Sequence, residues 1–419
     1  MMPDWTILDN CRHSGYATAM PWKRLIPLLP LLICDLAIFV DVTAAGIMSP
    51  AIPQFAAIFN ASEAAMGYAF SAFAATFLVT ALPLGLVVER TGRSGLLVST
   101  GMVSIMIGAL LLANAGTIWL FVIAQALYGF GSAATWIAGQ PLAARVARTS
   151  PNKGLGITSM TVATALGIIV GPIIGSISDL SLPFYIYAAM AGITALAAFS
   201  LLRGEYEVTE TNLRQYAVVI RNSRIQAALL GVMVLFLCVG VIEVMFPIYL
   251  STQGYGKSDM GLLLLISAVG MLLTQPLVAR WLSRIGLLIP NMVGLFGSAA
   301  VLVAMITGVS YGALLLLFLL NGVFHGIILS GSMMIIDDSS LPGEHALGFA
   351  VWNLAFSVGY LVGPALGGTL VGVTREWSTV GGLRAPFLFF ALLTLLSIPA
   401  FAALKVRGRN QPVNLNNLG

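Results

Sequence analysis

Three side chains in this sequence have the chemistry to move a proton or hold a charge, and all three sit in strongly apolar surroundings. Asp41 lies in Ile38-Phe-Val-Asp41-Val-Thr-Ala-Ala, Glu243 in Glu243-Val-Met-Phe-Pro247-Ile-Tyr, and His325 in a long run of Leu, Ile and Gly. A carboxylate in such a run costs several kcal/mol unless it is hydrated, paired or protonated, and it usually faces a bundle interior or a watery cavity. Asp41 and Glu243 are therefore candidate sites for a proton or a cationic ligand. No Lys or Arg is expected deep in any apolar segment, so neither acid has an obvious cationic partner. His325 carries the side chain whose ordinary titration falls closest to neutrality, and the alternative reading is a core histidine bonded to a carbonyl. Gln125 and Asn353 are candidate polar contacts in the same kind of environment, with Tyr128, Trp136 and Trp352 as aromatic ones; core packing is an equal alternative for each. Asp35 precedes Asp41 by a spacing that places it on another face of a helix with 3.6 residues per turn. Asp337 and Asp338 stand at a helix end, where capping or gating is expected.

The elements that must position these groups follow from composition. Of 419 residues, 58% are hydrophobic and 9% charged, with mean hydropathy +0.96. Soluble domains carry about 25% charged residues, so a polytopic membrane protein is expected. A helix crosses the hydrocarbon with roughly 20 apolar residues. Twelve such segments are expected, near 25–50, 66–88, 95–114, 118–142, 155–178, 184–202, 225–250, 261–282, 288–308, 312–336, 347–372 and 385–404. By this map only Lys257, Arg375 and Arg384, of 20 Lys and Arg, fall on the side opposite the N-terminus. The positive-inside rule then places both termini in the cytoplasm. The net charge of +4 is thus a topology signal, and nucleic acid is not an expected partner. Cys11, Cys34 and Cys238 have no metal-ligand spacing and no expected disulfide. No phosphate-binding loop or nucleophile–base–acid set stands out, so neither a cofactor nor enzymatic catalysis is expected. Met20-Pro21-Trp22-Lys23-Arg24 reads as a natural start, with residues 1–19 an extension.

The chain also repeats itself. Gly167-Ile-Ile-Val-Gly171-Pro172-Ile-Ile-Gly175 and Gly359-Tyr-Leu-Val-Gly363-Pro364-Ala-Leu-Gly367 lie 192 residues apart. At a nearly equal offset Pro53 matches Pro247, Met66-Gly67 matches Met260-Gly261, and Arg90 matches Arg284. The fold class expected is an all-α membrane protein of twelve transmembrane helices in two six-helix pseudo-repeat bundles. Its parts would be a cytoplasmic segment 1–24, a bundle 25–203, a linker 204–224, a bundle 225–404 and a tail 405–419. Such duplication suits alternating access around a midplane site. The glycines should let helices approach closely, and each proline should kink its helix.

Gly85-Leu-Val-Val-Glu89-Arg90-Thr-Gly92-Arg93 matches G-x-x-x-[DE]-R-x-G-R, and here the chain resembles the major facilitator superfamily. The motif suggests a tight turn at Gly92, close helix approach at Gly85, and charges able to clamp helix ends. The Gly-Pro motif resembles one associated with exporters among twelve-helix drug/proton antiporters. Asp41 followed by Pro50-Ala-Ile-Pro53, Glu243 with Pro247-Ile-Tyr, and the stretch from Ala355 to Gly368 resemble the first, seventh and eleventh helices of vesicular amine transporters and related antiporters. The resemblance implies that Asp41 contacts a cationic substrate and that Glu243 lines the site. It implies proton-coupled efflux of a small amphipathic or cationic compound, with the proton gradient as energy source and no cofactor. The setting would be the bacterial inner membrane, the protein a monomer, and its partners protons, substrate and lipid. An importer or uniporter of a neutral metabolite is the alternative. The sequence departs from the family at Asn353 and Leu329, where acids are expected, at Phe73, where a lysine is expected, and at Gln125, in place of an arginine. His325 precedes Leu329 by four residues, on the same helical face, and is a candidate replacement proton site.

Overall fold

A computed structural model describes residues 29–149, 155–202, 219–285, 288–340, 345–377 and 381–409. The segment 1–24, residues 204–218 of the expected linker and residues 410–419 of the tail lie outside them. Helices make up almost everything described: α1 Leu29–Met48, α2 Ile52–Phe59, α3 Glu63–Thr91, α4 Ser94–Ala113, α5 Ile118–Thr149, α6 Leu155–Gly175 and α7 Leu182–Leu201 in the first half. In the second half stand α8 Ser223–Thr252, α9 Lys257–Ile285, α10 Leu288–Met305, α11 Tyr311–Ser339, α12 His345–Thr374 and α13 Gly381–Arg409. A 3-10 turn, Ser49–Ala51, carries α1 into α2.

Most of these helices are apolar all round, as expected where lipid or protein covers every face and the backbone must satisfy its own hydrogen bonds. Ten helices of the described chain are long and apolar enough to cross a membrane, and residues 159–175 and 289–305 form two shorter apolar helices. Each segment expected from hydropathy falls on a helix. Large apolar side chains are bare on the outside, among them Val79 at 72% and Leu196 at 69% exposure. A surface of this kind belongs in lipid.

Polar residues set the helix ends. Ser62 and Ser310 accept the amides of Ala65 and Ala313 at the starts of α3 and α11, the usual serine N-cap. Asn222 caps α8 by accepting the Arg224 amide at 3.0 Å, so the helix begins inside the segment expected to be linker. Gly92 ends α3 with φ 63°, a left-handed conformation that glycine adopts without steric cost. The tight turn expected there is present.

Packing within each half follows one pattern. α1 packs on α5, α6 and α7, α3 on α5, and α4 on α5 and α7. In the second half α8 packs on α11, α12 and α13, α9 on α11, and α10 on α11 and α13. The halves meet mainly through α3 against α12 and α6 against α9. α6 runs unbroken through Pro172 and α12 through Pro364.

The glycine ladders hold the acid-bearing helices. A Cβ added at Gly167, Gly171 or Gly175 would strike the backbone of α1 at Phe39, Thr43 or Gly46. A Cβ at Gly359 or Gly363 would strike α8 at Met233 or Leu237, while Gly367 faces the side chains of Val241 and Met245 at 3.3 Å. Gly85 differs from expectation. Among the described residues its nearest neighbour is the Ile137 methyl at 3.9 Å, an ordinary contact, and none of them brings its backbone close to that glycine. Arg90 and Arg93 are exposed, and the side chain of Glu89 lies outside the described residues.

Candidate functional site

A cavity of about 300 Å³ lies between the two halves, with lining residues from α1, α3, α5, α6, α8, α9, α11 and α12. Among the described residues α4, α7, α10 and α13 contribute none. Asp41, Gln125, Glu243, His325 and Asn353 all line it. The volume is at the small end of the range for organic ligands, about 300–1,000 Å³.

Asp41 is 3% exposed. Its Oδ2 accepts the Trp136 indole N–H at 2.6 Å and the Ser132 hydroxyl at 3.1 Å. Charge-assisted bonds of this kind are shorter and roughly twice as strong as neutral ones. The Tyr128 hydroxyl donates to the Asp41 backbone carbonyl at 2.9 Å. Asp41 Oδ1 has no partner among the described residues. One helix supplies these contacts: Gln125, Tyr128, Ser132 and Trp136 recur at three- and four-residue steps on α5, hence on one face.

Glu243 comes from the second half. The Tyr360 hydroxyl donates to its Oε2. Its backbone carbonyl accepts the Ser49 hydroxyl at 2.7 Å, a bond between the halves. The two acid sites are joined by aromatic rings. Phe73 stacks on Tyr128 with centroids 4.6 Å apart and meets Tyr360 edge-on at 5.5 Å. Both arrangements are favourable for ring quadrupoles. Phe73 thus stands where the family resemblance called for a lysine, and among the described residues no Lys or Arg lines the cavity.

His325 is 7% exposed and sits between the Ser298 hydroxyl and the Asn321 amide, each at 3.3 Å. Gln125 is 1% exposed and its Oε1 has no partner among the described residues. Asn353 is buried in the wall near Trp352, whose indole donates to Ser332 at 3.0 Å. Asp35 is also buried, takes a hydrogen bond from Ser159 and does not line the cavity. Asp338 pairs with Arg224 at 3.4 Å on the surface. Ser132, Asn321 and Tyr360 belong to the site and were not expected from sequence. The α5 spacing could have flagged Ser132, and the four-residue step to His325 could have flagged Asn321.

The family model described as Major Facilitator Superfamily matches residues 34–258 and 228–418. The chain belongs to the Major Facilitator Superfamily. Among its relatives, Multidrug resistance protein 2 of Bacillus subtilis is 22% identical over 378 residues, covering 86% of this chain and 91% of that protein. Quinolone resistance protein NorA of Staphylococcus aureus is 24% identical over 176 residues, 42% of this chain and 43% of its own length. The nucleoside transporter NupG superposes with TM-score 0.73 at 14% identity, over 91% of this chain and 99% of its own. A bacterial homologue of the human lysosomal transporter Spinster gives TM-score 0.74 at 14% identity, over 93% and 97%. These likenesses establish the fold. This major facilitator is an integral membrane transporter, with its cavity at the place where the halves of the chain meet.

Proposed function

We propose that this chain is a secondary active exporter that exchanges protons for a small amphipathic or cationic organic compound by alternating access. Twelve helices would cross the membrane in two six-helix bundles, with both termini in the cytoplasm of a bacterial cell. The protein would act as a monomer. The observation that carries the reading is the pairing of Asp41 and Glu243, one acid from each half, in one cavity whose lining contains no Lys or Arg among the described residues. Unneutralised carboxylates in a low-dielectric cavity attract a proton or an organic cation, and binding of one disfavours the other. Exchange follows from that competition. The multidrug and quinolone resistance relatives support export.

Replacing Asp41 by Asn preserves the size of the side chain and removes its charge. In proteoliposomes the variant should lose pH-gradient-driven accumulation of a fluorescent lipophilic cation while still reconstituting normally. Transport by Asp41→Asn at the wild-type rate under the same gradient would sink the proposal.

A second reading is uptake or facilitated diffusion of a neutral metabolite. It draws on the amides of Gln125 and Asn353 in the wall and on the fold likeness to a nucleoside transporter. Reversing the imposed pH gradient separates the two. An exporter of the proposed kind accumulates substrate on the acidic side, whereas a uniporter is indifferent to the gradient.

A further inference from the structure

We propose that Tyr360 is a positioning residue that ties the charge on Glu243 to closure of the seam between α3 and α12, so that the empty, ionised protein stays shut at its outer end. The inference rests on the export reading for the proton as driving ion and adds the group that carries its effect to the halves.

The two acids are bonded differently with respect to the boundary. Among the described residues, every side chain that bonds Asp41 belongs to its own half: Trp136, Ser132 and Tyr128, all on α5. Those bonds survive a separation of the halves. Glu243 stands on the boundary itself. Its backbone carbonyl accepts the Ser49 hydroxyl from the first half at 2.7 Å. Its carboxylate holds the Tyr360 hydroxyl, and the Tyr360 ring lies against Phe70 and Phe73 of α3, with centroids 5.8 and 5.5 Å apart. The next residue, Leu361, accepts the Ser71 hydroxyl of α3 at 2.7 Å. Parting the halves here breaks the contacts around Glu243 and spares those of Asp41.

A proton can shift the halves only through a contact that differs between the two states, and Tyr360 supplies one. An ionised carboxylate holds a hydroxyl roughly twice as strongly as a neutral group does. A proton on Glu243, or a cation drawn to it, therefore loosens Tyr360 and the ring packing that depends on its position. Exchange requires this, since an empty form that crossed freely after proton release would dissipate the gradient. The other titratable groups sharing the cavity are Asp41 on α1, Tyr128 on α5 and His325 on α11. Of the remaining elements packed on α8, α3 brings Phe70 and Phe73 to this seam and the 3-10 turn brings Ser49, while α13 meets α8 through Thr394, at 3.3 Å from the Cys238 thiol.

The test reads the distance between the halves by pulsed electron paramagnetic resonance, on full-length protein in lipid nanodiscs without substrate. A Cβ added at Gly116 or Gly312 meets none of the described residues within 4 Å, so nitroxides are attached at Gly116→Cys and Gly312→Cys in a Cys11→Ser background. Acidification should raise the ratio of long to short distances about tenfold or more, the effect of weakening one charge-assisted bond. Tyr360→Phe and Glu243→Gln should each show a raised ratio at every pH and no response to acid, whereas Asp41→Asn should keep the response. Ser71→Ala, which removes a seam bond away from Glu243, should raise the ratio and also keep the response. A Tyr360→Phe protein that still responds to acid, as Ser71→Ala does, reduces Tyr360 to static packing and overturns the proposal. A wild-type distribution indifferent to pH overturns it without recourse to any variant. Either failure leaves the export reading standing, because that reading is judged by flux.

Discussion

Asp41 and Glu243 line one cavity from opposite halves, yet they are held by different donors. Asp41 is gripped by Trp136 and Ser132 on a single oxygen, and Glu243 by Tyr360. Hydrogen bonds to a charged group contribute about 1.5–3 kcal/mol, so losing one should be felt by whatever exchanges at that carboxylate. Trp136→Phe keeps a smaller aromatic ring and removes the N–H. Proton-driven flux in proteoliposomes, normalised to folded protein, should fall about tenfold or more. Tyr360→Phe should act similarly at Glu243, whereas Glu243→Gln, which keeps an acceptor for the Tyr360 hydroxyl, should retain the fold and lose proton coupling. Wild-type flux in both Trp136→Phe and Tyr360→Phe would mean that these donors do not serve the exchange. Much of this site can be read in the sequence, because an acid in an apolar helix is conspicuous whatever it touches. The bonds themselves cannot. Trp136 and Asp41 stand 95 residues apart, so the spacing that marks one face of α5 does not say which acid that face meets, and a lone Tyr such as Tyr360 carries no periodic signal.

At the scale of helices, the glycine ladders fix the position of α1 and α8, and through them Asp41 and Glu243. Gly171 faces the Thr43 carbonyl and Gly363 the Leu237 carbonyl. Both obstacles are backbone, which cannot rotate aside as a side chain can. Gly171→Ala and Gly363→Ala should therefore each destabilise the protein by about 1–3 kcal/mol, the cost of overpacking a close contact. A Cβ added at Gly372 on α12 would meet none of the described residues within 4 Å, so Gly372→Ala should be neutral or slightly stabilising, given the helix preference for alanine of up to about 1 kcal/mol. Thermal unfolding in detergent ranks the three variants, and equal melting temperatures would remove the ladders' structural role. The helices were readable because hydropathy and charge asymmetry act over whole segments. The partner of each ladder was not, since small-residue spacing describes a flat face without naming the helix that meets it. Gly85 shows the same limit, a motif glycine that among the described residues has only a methyl within 4 Å.

For the whole molecule, the repeat generates two related closures where the halves meet, at the end expected to face outward. Pro172 lies against Gly46 of its own half and Gly261 of the other, and Pro364 lies against Gly240 and Gly67. Beside them Glu63 pairs with Arg375 at 3.2 Å, and Lys257 donates to the Asp179 carbonyl at 2.9 Å. Glu63 and Lys257 open α3 and α9, the corresponding helices of the two halves, so the closures carry opposite charge at related positions. The Glu63–Arg375 pair is exposed on the arginine side, at 66%, and pairs of that kind contribute about 0–1 kcal/mol. Weak closure is what a barrier needs if it must open in every cycle, because a strong one would trap a single state. Tyr68 and Thr369 bridge the same boundary, hydroxyl to hydroxyl at 2.8 Å. The tyrosine side chain spans more than a direct disulfide can bridge, so Tyr68→Cys and Thr369→Cys, made in a Cys11→Ser background, are joined instead with a short bifunctional thiosulfonate that forms a reducible disulfide at each thiol; Cys34 and Cys238 are buried. If the halves part here during transport, the linked protein stops transporting and reduction restores the flux. Undiminished transport by the fully linked variant would place the moving boundary elsewhere and leave these contacts as static packing.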